Sequence, residues 1–292
     1  MRTSRTLVTC LFTIIGVGIS SLWAQSAKES KEIPAATQWL LDAAGPTQRN
    51  SIKSIFLLKC PATQMQGTSF LLTTGIVVSN EHVVHGCTEH NLFAITPLGK
   101  YLTFSKVVTD PVRDLAALRP TEKQEGGLDL ATKEGGPSLG EPVTTWGFPL
   151  IYDGPAPILS VGYVAGYRAA PAHNSFKTVK HMIVNGAFNY GNSGGPVFAA
   201  NDNKVVGIVV WKTLLFSDNV TSIINGFKNA QSGVSGVFRV TQPDGTQQSV
   251  TNEVAIGAVL DEFYKTVQVV IGEAISVSEL KDFLTEQEKN LR

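Results

Sequence analysis

Residues 189–198 read NYGNSGGPVF and place a serine, Ser193, among closely spaced glycines. Such glycines allow a tight turn that exposes the hydroxyl and brings backbone N–H groups together in front of it. Between a strand and a helix, a turn of this kind would indicate an α/β-hydrolase. Here Pro-Val-Phe and another apolar run follow, so the flanking sequence favours strands on both sides. A glycine-rich β-turn with an ordinary serine is the alternative at this point.

Short apolar runs occupy most of the chain on either side of this turn. Gly, Pro, Asn and Asp separate them, and no ten-residue helical pattern intervenes as a parallel α/β sheet would require. The runs include IFLLK (55–59), SFLLT (69–73), IVVS (76–79), YLTF (101–104), VTTWGF (143–148), ILSVGYVAGY (158–167) and KVVGIVVW (204–211). The sequence therefore predicts an all-β barrel or sandwich, with a short helix at 35–45 and a C-terminal helix after Ser276.

Composition limits the classes of partner. The 292 residues include 24 basic and 24 acidic side chains and are 43% hydrophobic. A net charge of zero without a basic tract argues against nucleic acid, because phosphate binding needs clustered Lys and Arg. No Cys or His cluster has the spacing of metal ligands, so neither a metal nor another cofactor is predicted.

Residues 1–24 have the pattern of an export signal. Arg2 and Arg5 precede the apolar run LVTCLFTIIGVGISSLW (7–23), and Ala24 is a small residue suited to cleavage. We therefore expect a periplasmic or extracellular protein that has no membrane contact once the signal is removed. An uncleaved N-terminal anchor is the alternative, because the run approaches the length that spans a bilayer.

Two of the three cysteines lie beyond this segment. Cys60 and Cys87 form an even pair in a chain expected to enter an oxidising compartment, which favours a disulfide between them. Two unpaired buried thiols are the alternative, since cysteine is among the most buried residue types.

A histidine and an aspartate upstream of Ser193 complete a candidate catalytic group. His82 follows the apolar run that ends at Ser79, and Asp114 begins the stretch DLAAL. A serine hydroxyl is a weak nucleophile unless a general base removes its proton, and an aspartate can orient that base. The chain order His, Asp, Ser is that of chymotrypsin-type enzymes and differs from the orders in α/β-hydrolases and subtilisins.

The chain resembles the trypsin-like serine peptidases of the chymotrypsin fold, in particular the bacterial branch of Deg-type proteases and glutamyl endopeptidases. The matching stretches occur in family order: GTSFLL (67–72), VVSNEHVVHGC (78–87), DLAAL (114–118), WGFP (146–149), SVGYVAG (160–166), NYGNSGGPVF (189–198) and VVGIVVW (205–211). The resemblance implies two six-stranded Greek-key β-barrels with an active site in the cleft between them, and no PDZ domain is expected.

The resemblance also implies a role for each matched residue. Ser193 would be the nucleophile, His82 the general base, and Asp114 the carboxylate that holds the imidazole. The backbone N–H groups of Gly191 and Ser193 would form the oxyanion hole. We therefore expect an exported serine endopeptidase that cleaves protein or peptide substrates through an acyl-enzyme. A catalytically silent domain that binds a protein partner is the alternative.

Two neighbouring residues compete for these roles. Asp110 is a rival carboxylate, but DLAAL at 114–118 fits the family pattern better than DPVR at 110–113. His85 is a rival base, but the sequence around His82 matches the family motif.

Four residues are expected to shape the specificity pocket: Ala187, Val209, Val210 and Lys212. Ala187 stands where trypsin-type enzymes carry an acidic selector, and Val209 where glutamyl enzymes carry a histidine. Such a pocket would hold an unpaired charge poorly, so we expect cleavage after Val, Ala, Ile or Leu. Lys212 at the mouth is the feature that would instead favour an acidic side chain.

The sequence predicts the following division of the chain: signal peptide 1–24, N-terminal extension 25–50, first barrel 51–125, inter-barrel linker 126–142, and second barrel 143–292 with an insertion at 212–253. The linker is assigned from its polar, Gly- and Pro-rich composition.

Overall fold

A computed structural model describes most of the chain from residue 33 onward. The described residues are 33–132, 136–150, 152–171, 178–210, 238–241, 246–252, 254–257, 259–260 and 271–291. The predicted signal peptide, Lys212 and most of the predicted insertion lie outside them.

The first six strands form a closed antiparallel barrel in the order β1-β2-β3-β6-β5-β4. They are β1 (Ile55–Cys60), β2 (Met65–Leu71), β3 (Val77–Ser79), β4 (Phe93–Ile95), β5 (Tyr101–Asp110) and β6 (Leu115–Pro120). In β5, buried Leu102 and Phe104 alternate with exposed Tyr101, Thr103 and Ser105, the period of a strand with one face in the core.

A second closed barrel follows, with strand order β10-β11-β14-β9-β8-β7. Its strands are β7 (Pro142–Gly147), β8 (Ile158–Pro171), β9 (Thr178–Gly186), β10 (Pro196–Ala199), β11 (Val205–Val210) and β14 (Ile271–Ser276). A separate hairpin pairs β12 (Phe238–Thr241) with β13 (Gln247–Val250). Two six-stranded barrels confirm the fold class predicted from the sequence.

The described helices are α1 (Ala35–Ala43), α2 (Pro46–Lys53), α3 (Glu81–Val84) and a C-terminal helix (Val277–Leu291). The sequence predicted that the first helix ends near Gly45-Pro46, but it did not predict α2. Pro46 opens α2 at a position where a missing N–H costs nothing, and Gln48 Oε1 accepts a hydrogen bond from the Gly45 N–H. Within the described residues, no helix is both long enough and apolar enough to cross a bilayer.

The segment between the barrels pairs with both of them. Leu128 forms a parallel bridge with Leu72 at the edge of the first barrel, and Leu130 forms one with Val205 of β11. Leu128 is buried. This part of the predicted linker is therefore packed against the barrels despite its polar surroundings in sequence.

The two barrels and the C-terminal helix share one hydrophobic core. Phe70 of the first barrel, Ile208 of the second, and Leu280 and Phe283 of the helix are all fully buried in it. Full burial of each such side chain stabilises the fold by about 1.5–3 kcal/mol. The shared core therefore holds the two barrels and the helix together.

A three-residue ion cluster joins neighbouring strands of the second barrel. Glu273 of β14 accepts hydrogen bonds from His181 of β9 at 2.9 Å and from Arg168 of β8. Burial raises the pKa of Glu273, but the hydrogen bonds from His181 and Arg168 outweigh it and lower the pKa to about 2. Glu273 is therefore ionised in the folded protein over the whole physiological range.

Candidate active site

His82 and Asp114 are joined by two hydrogen bonds. His82 lies in α3, and its Nδ1 is 2.8 Å from Oδ2 of Asp114. Oδ1 of the same carboxylate accepts a hydrogen bond of 2.9 Å from the His82 backbone N–H. Asp114 thus holds both the ring and the main chain of His82. The two side chains are 30% and 29% exposed, so the pair is accessible from solvent.

The backbone of Asp114 adopts a conformation that residues with a side chain rarely take. Its φ is 55°, in the left-handed region. The Asn80 side-chain amide donates a hydrogen bond of 2.9 Å to the Asp114 carbonyl oxygen. Because Asn80 immediately precedes α3, this bond joins the turn that carries the carboxylate to the helix that carries the imidazole.

Ser193 lies in a turn that requires glycine on both sides. Gly191 and Gly194 have φ values of 93° and 82°. A Cβ on Gly191 would lie 2.2 Å from the Phe148 carbonyl oxygen, and one on Gly194 would lie 2.2 Å from the Thr68 carbonyl oxygen. Both the backbone conformation and the close packing therefore exclude larger residues at these two positions.

The backbone amides of this turn divide into two groups. Three of them donate to backbone carbonyl oxygens, namely those of Asn192, Gly194 and Gly195. The amides of Gly191 and Ser193 donate to no acceptor within the described ranges. Two unpaired N–H groups beside a serine hydroxyl are the donors that an oxyanion hole needs.

Thr68 of β2 connects the first barrel to the serine turn. Its backbone N–H donates to the Ser193 carbonyl oxygen at 2.8 Å, and its hydroxyl donates to the Gly191 carbonyl oxygen at 2.7 Å. The same hydroxyl accepts a hydrogen bond of 3.0 Å from the Phe148 N–H of the second barrel. Sequence analysis assigned Thr68 no role, although it lies within the matching stretch GTSFLL.

Gly67 shows how closely His82 and Ser193 are brought together. A Cβ on Gly67 would lie 2.8 Å from the side chain of Val83 and 3.0 Å from the Ser193 carbonyl oxygen. Val83 directly follows His82 in α3. The helix that carries His82 and the main chain of Ser193 therefore both pack against Gly67.

Residues 67–208 match the trypsin-like peptidase domain family. The chain carries a trypsin-like peptidase domain. The match spans the elements that hold His82, Asp114 and Ser193.

Two curated relatives match about half of the chain. The putative serine protease HhoA of Synechocystis sp. is 33% identical over 150 residues, which cover 49% of this chain and 36% of that protein. The uncharacterized protein y4bJ of Sinorhizobium fredii is 31% identical over 154 residues, covering 52% and 22% respectively. The chain therefore spans little more than a third of the first relative and less than a quarter of the second.

Solved structures share the fold of the trypsin-like domain. The active form of the Rv3671c protease from M. tuberculosis superposes with a TM-score of 0.50 at 18% identity, covering 80% of this chain and 88% of that one. The inactive form also gives a TM-score of 0.50, at 17% identity, with coverage of 80% and 97%. This similarity shows a common double-barrel architecture.

Asp110 and His85, the alternatives for the carboxylate and the base, have partners other than His82 and Asp114. Asp110 forms an ion pair with Arg113 at 2.7 Å. His85 Nδ1 is 2.8 Å from Glu81 Oε1, and this hydrogen bond together with the charge of Glu81 raises the pKa of His85. The imidazole of His82 contacts Asp114 rather than Asp110.

The residues predicted for the specificity pocket occupy different environments. Ala187 is exposed, Val210 is half-buried, and Val209 is fully buried in the core of the second barrel. The Val209 backbone N–H donates to the Gly195 carbonyl oxygen at 2.8 Å, so β11 lies directly beside the serine turn. Lys212 is outside the described residues, and the pocket stays a prediction.

Cys60 and Cys87 form a disulfide with a Cα–Cα distance of 5.7 Å. Cys60 ends β1, and Cys87 follows shortly after α3. The bridge therefore ties the segment that follows His82 to the wall of the first barrel. In the part of the chain that the structure describes, no three His, Cys, Asp or Glu side chains are grouped so that they could hold a metal ion.

Proposed function

We infer that this chain is an exported serine endopeptidase that hydrolyses peptide bonds of protein or peptide substrates. The observation that carries the proposal is the doubly bonded His82–Asp114 pair on the first barrel, to which Thr68 attaches the glycine-bounded turn of Ser193 from the second. The trypsin-like domain family supports the same class of reaction.

The geometry supports a specific order of proton and bond transfers. Because Nδ1 of His82 faces Asp114, Nε2 is the nitrogen left to accept the Ser193 proton. Ser193 Oγ then attacks the scissile carbonyl carbon, and the amides of Gly191 and Ser193 donate hydrogen bonds to the oxyanion. His82 returns the proton to the leaving amine, and the acyl-enzyme forms. Water activated by the same imidazole hydrolyses the ester and frees Ser193.

Export and substrate preference complete the proposal. The signal-like segment 1–24 and the disulfide between Cys60 and Cys87 both suit a periplasmic or extracellular protein. Ala187 brings no charge to the expected pocket. We therefore assign a preference for small aliphatic residues on the acyl side of the cleaved bond.

A fluorophosphonate probe tests the proposed activity directly. The wild-type protein should be labelled covalently, and Ser193→Ala should abolish labelling. Ser105→Ala, which alters an exposed serine on β5, is the matched control and should label at the wild-type rate. A folded wild-type protein that takes up no probe would reject the hydrolase and favour a catalytically silent binding domain.

A further inference from the structure

Arg113, the residue before Asp114, is bound by three carboxylates. Its Nη1 lies 2.7 Å from Asp110 Oδ2 and 2.8 Å from Glu286 Oε2, and its Nη2 lies 2.7 Å from Glu286 Oε1. Its Nε is 3.4 Å from Glu279 Oε2. The side chains of Arg113, Asp110 and Glu279 are 15–18% exposed, whereas Glu286 is 52% exposed at the rim of the cluster.

The carboxylates come from both halves of the chain. Asp110 ends β5 in the first barrel, whereas Glu279 and Glu286 belong to the C-terminal helix that follows the second barrel. Glu279 Oε1 also accepts a hydrogen bond of 2.9 Å from the Lys180 backbone N–H in β9. Glu279 therefore links a strand of the second barrel to Arg113 of the first.

The turn 110–114 needs external support because Asp114 has a positive φ. A residue with a side chain keeps such a conformation only where its surroundings enforce it. Asp110 Oδ1 accepts hydrogen bonds from the backbone N–H groups of Val112 and Arg113 at 2.9 and 3.1 Å. Asn80 holds the carbonyl at the other end of the turn. The Arg113 side chain joins this turn to the C-terminal helix through its ion pairs with Glu279 and Glu286.

We propose that Arg113, held by Glu279 and Glu286, is a positioning residue that fixes the Asp114 carboxylate against the His82 imidazole. The C-terminal helix is then part of the apparatus that orients the base, although it contributes no group that touches substrate. The inference rests on the proposed function, because it gives Arg113 a kinetic role through Asp114.

A second contact of the same helix supplies a matched control. Arg119 Nη1 donates a hydrogen bond of 2.6 Å to the Leu291 carbonyl oxygen at the end of the helix. Arg119→Ala therefore removes a contact between the helix and the first barrel at a residue outside the turn 110–114. Arg113→Ala removes the contact at the turn itself.

Steady-state turnover of a peptide substrate, measured on the chain without residues 1–24, distinguishes a positioning role of Arg113 from a contribution to stability alone. Arg113→Ala should lower kcat by about 30-fold and leave KM within about twofold, since a misplacement of about 1 Å can cost on the order of 10²-fold. Arg113→Lys should recover part of the loss, because a lysine can still bind one carboxylate. Arg119→Ala should lower Tm but keep the wild-type kcat. If Arg113→Ala does not fold, Glu286→Gln provides the test and should lower kcat in the same direction.

The hydrogen-bonded Nδ1 proton of His82 gives a readout that does not depend on turnover. Its downfield proton NMR signal should be sharp in wild type and Arg119→Ala, and broadened or absent in Arg113→Ala. Wild-type kcat and an unchanged signal in Arg113→Ala would overturn the inference, as would an equal loss of kcat in Arg119→Ala. A wild-type protein that takes up no fluorophosphonate would instead reject the proposed function, and the NMR comparison would still decide whether Arg113 positions Asp114.

Discussion

Replacing Thr68 with valine tests whether one hydroxyl holds the two barrels together at the serine turn. Valine has nearly the shape of threonine, so Thr68→Val leaves no cavity and removes only hydrogen bonds. The Thr68 hydroxyl donates to the Gly191 carbonyl oxygen and accepts from the Phe148 N–H, and all three residues are buried. The variant therefore leaves one buried donor and one buried acceptor unpaired.

Each unpaired buried group costs about 1–3 kcal/mol, so Thr68→Val should lower the free energy of unfolding by about 3 kcal/mol in total. Equilibrium urea unfolding of the signal-free protein, followed by tryptophan fluorescence, measures this change. Thr68→Ser keeps the hydroxyl and should lose only about 1 kcal/mol for the missing methyl group.

Thr103→Val provides the control for the substitution itself. Thr103 is exposed on β5, where its hydroxyl bonds to that of Thr121, and its replacement should change stability by less than about 0.5 kcal/mol. A loss below about 1 kcal/mol in Thr68→Val, or an equal loss in Thr103→Val, would refute the role assigned to the Thr68 hydroxyl.

Four further outcomes are expected. Ser193→Ala and His82→Ala should each lower kcat by about 10⁶-fold. The double variant should lose little more than either single variant, because a triad acts as a unit. Losses that multiply in the double variant would contradict the assignment of these two residues. Replacing both Cys60 and Cys87 with serine should lower the free energy of unfolding by about 3.5 kcal/mol for a 27-residue separation, and free thiols in denatured, unreduced wild type would show that the bond is absent. The pKa of Glu273 is lowered to about 2, so its carboxylate should stabilise the folded state above pH 4.5 and lose this contribution as the pH falls from about 4.5 to about 2. The variant Glu273→Gln should therefore show a smaller fall of Tm over that pH interval. An unchanged profile of Tm against pH would count against the ion cluster. A peptide library should show cleavage after Val, Ala, Ile or Leu, and dominance of Arg, Lys or Glu at that position would reject the apolar pocket.

The double barrel and the contact between His82 and Asp114 could be predicted because their signals are local in sequence. Short apolar runs between turn residues indicate strands, and the glycines around Ser193 mark a turn that few other sequences form. The same holds for His82 and Asp114, since each lies in a short stretch typical of the family. The pairing of His82 with Asp114 rather than with Asp110 followed from the stretch DLAAL.

The partners of Thr68 and Arg113 could not be predicted, because their contacts depend on the folded chain. The Thr68 hydroxyl binds a carbonyl 123 residues away, and Arg113 binds a glutamate 173 residues away. No local pattern distinguishes these two side chains from other threonines and arginines. Helix α2 was missed for a related reason, since Gly45-Pro46 indicates the end of one helix as readily as the start of the next.

The position of the C-terminal helix in the chain has a consequence for the order in which the protein matures. Both barrels leave the ribosome before residues 277–291, yet Leu280 and Phe283 complete the core that the barrels share. Glu279 and Glu286 belong to the same helix, so the turn of Asp114 gains these contacts only after both barrels have been synthesised. A nascent chain that already contains His82, Asp114 and Ser193 therefore lacks the last supports of its own active site. Under the proposed function, a newly made chain would gain activity only after this helix has docked.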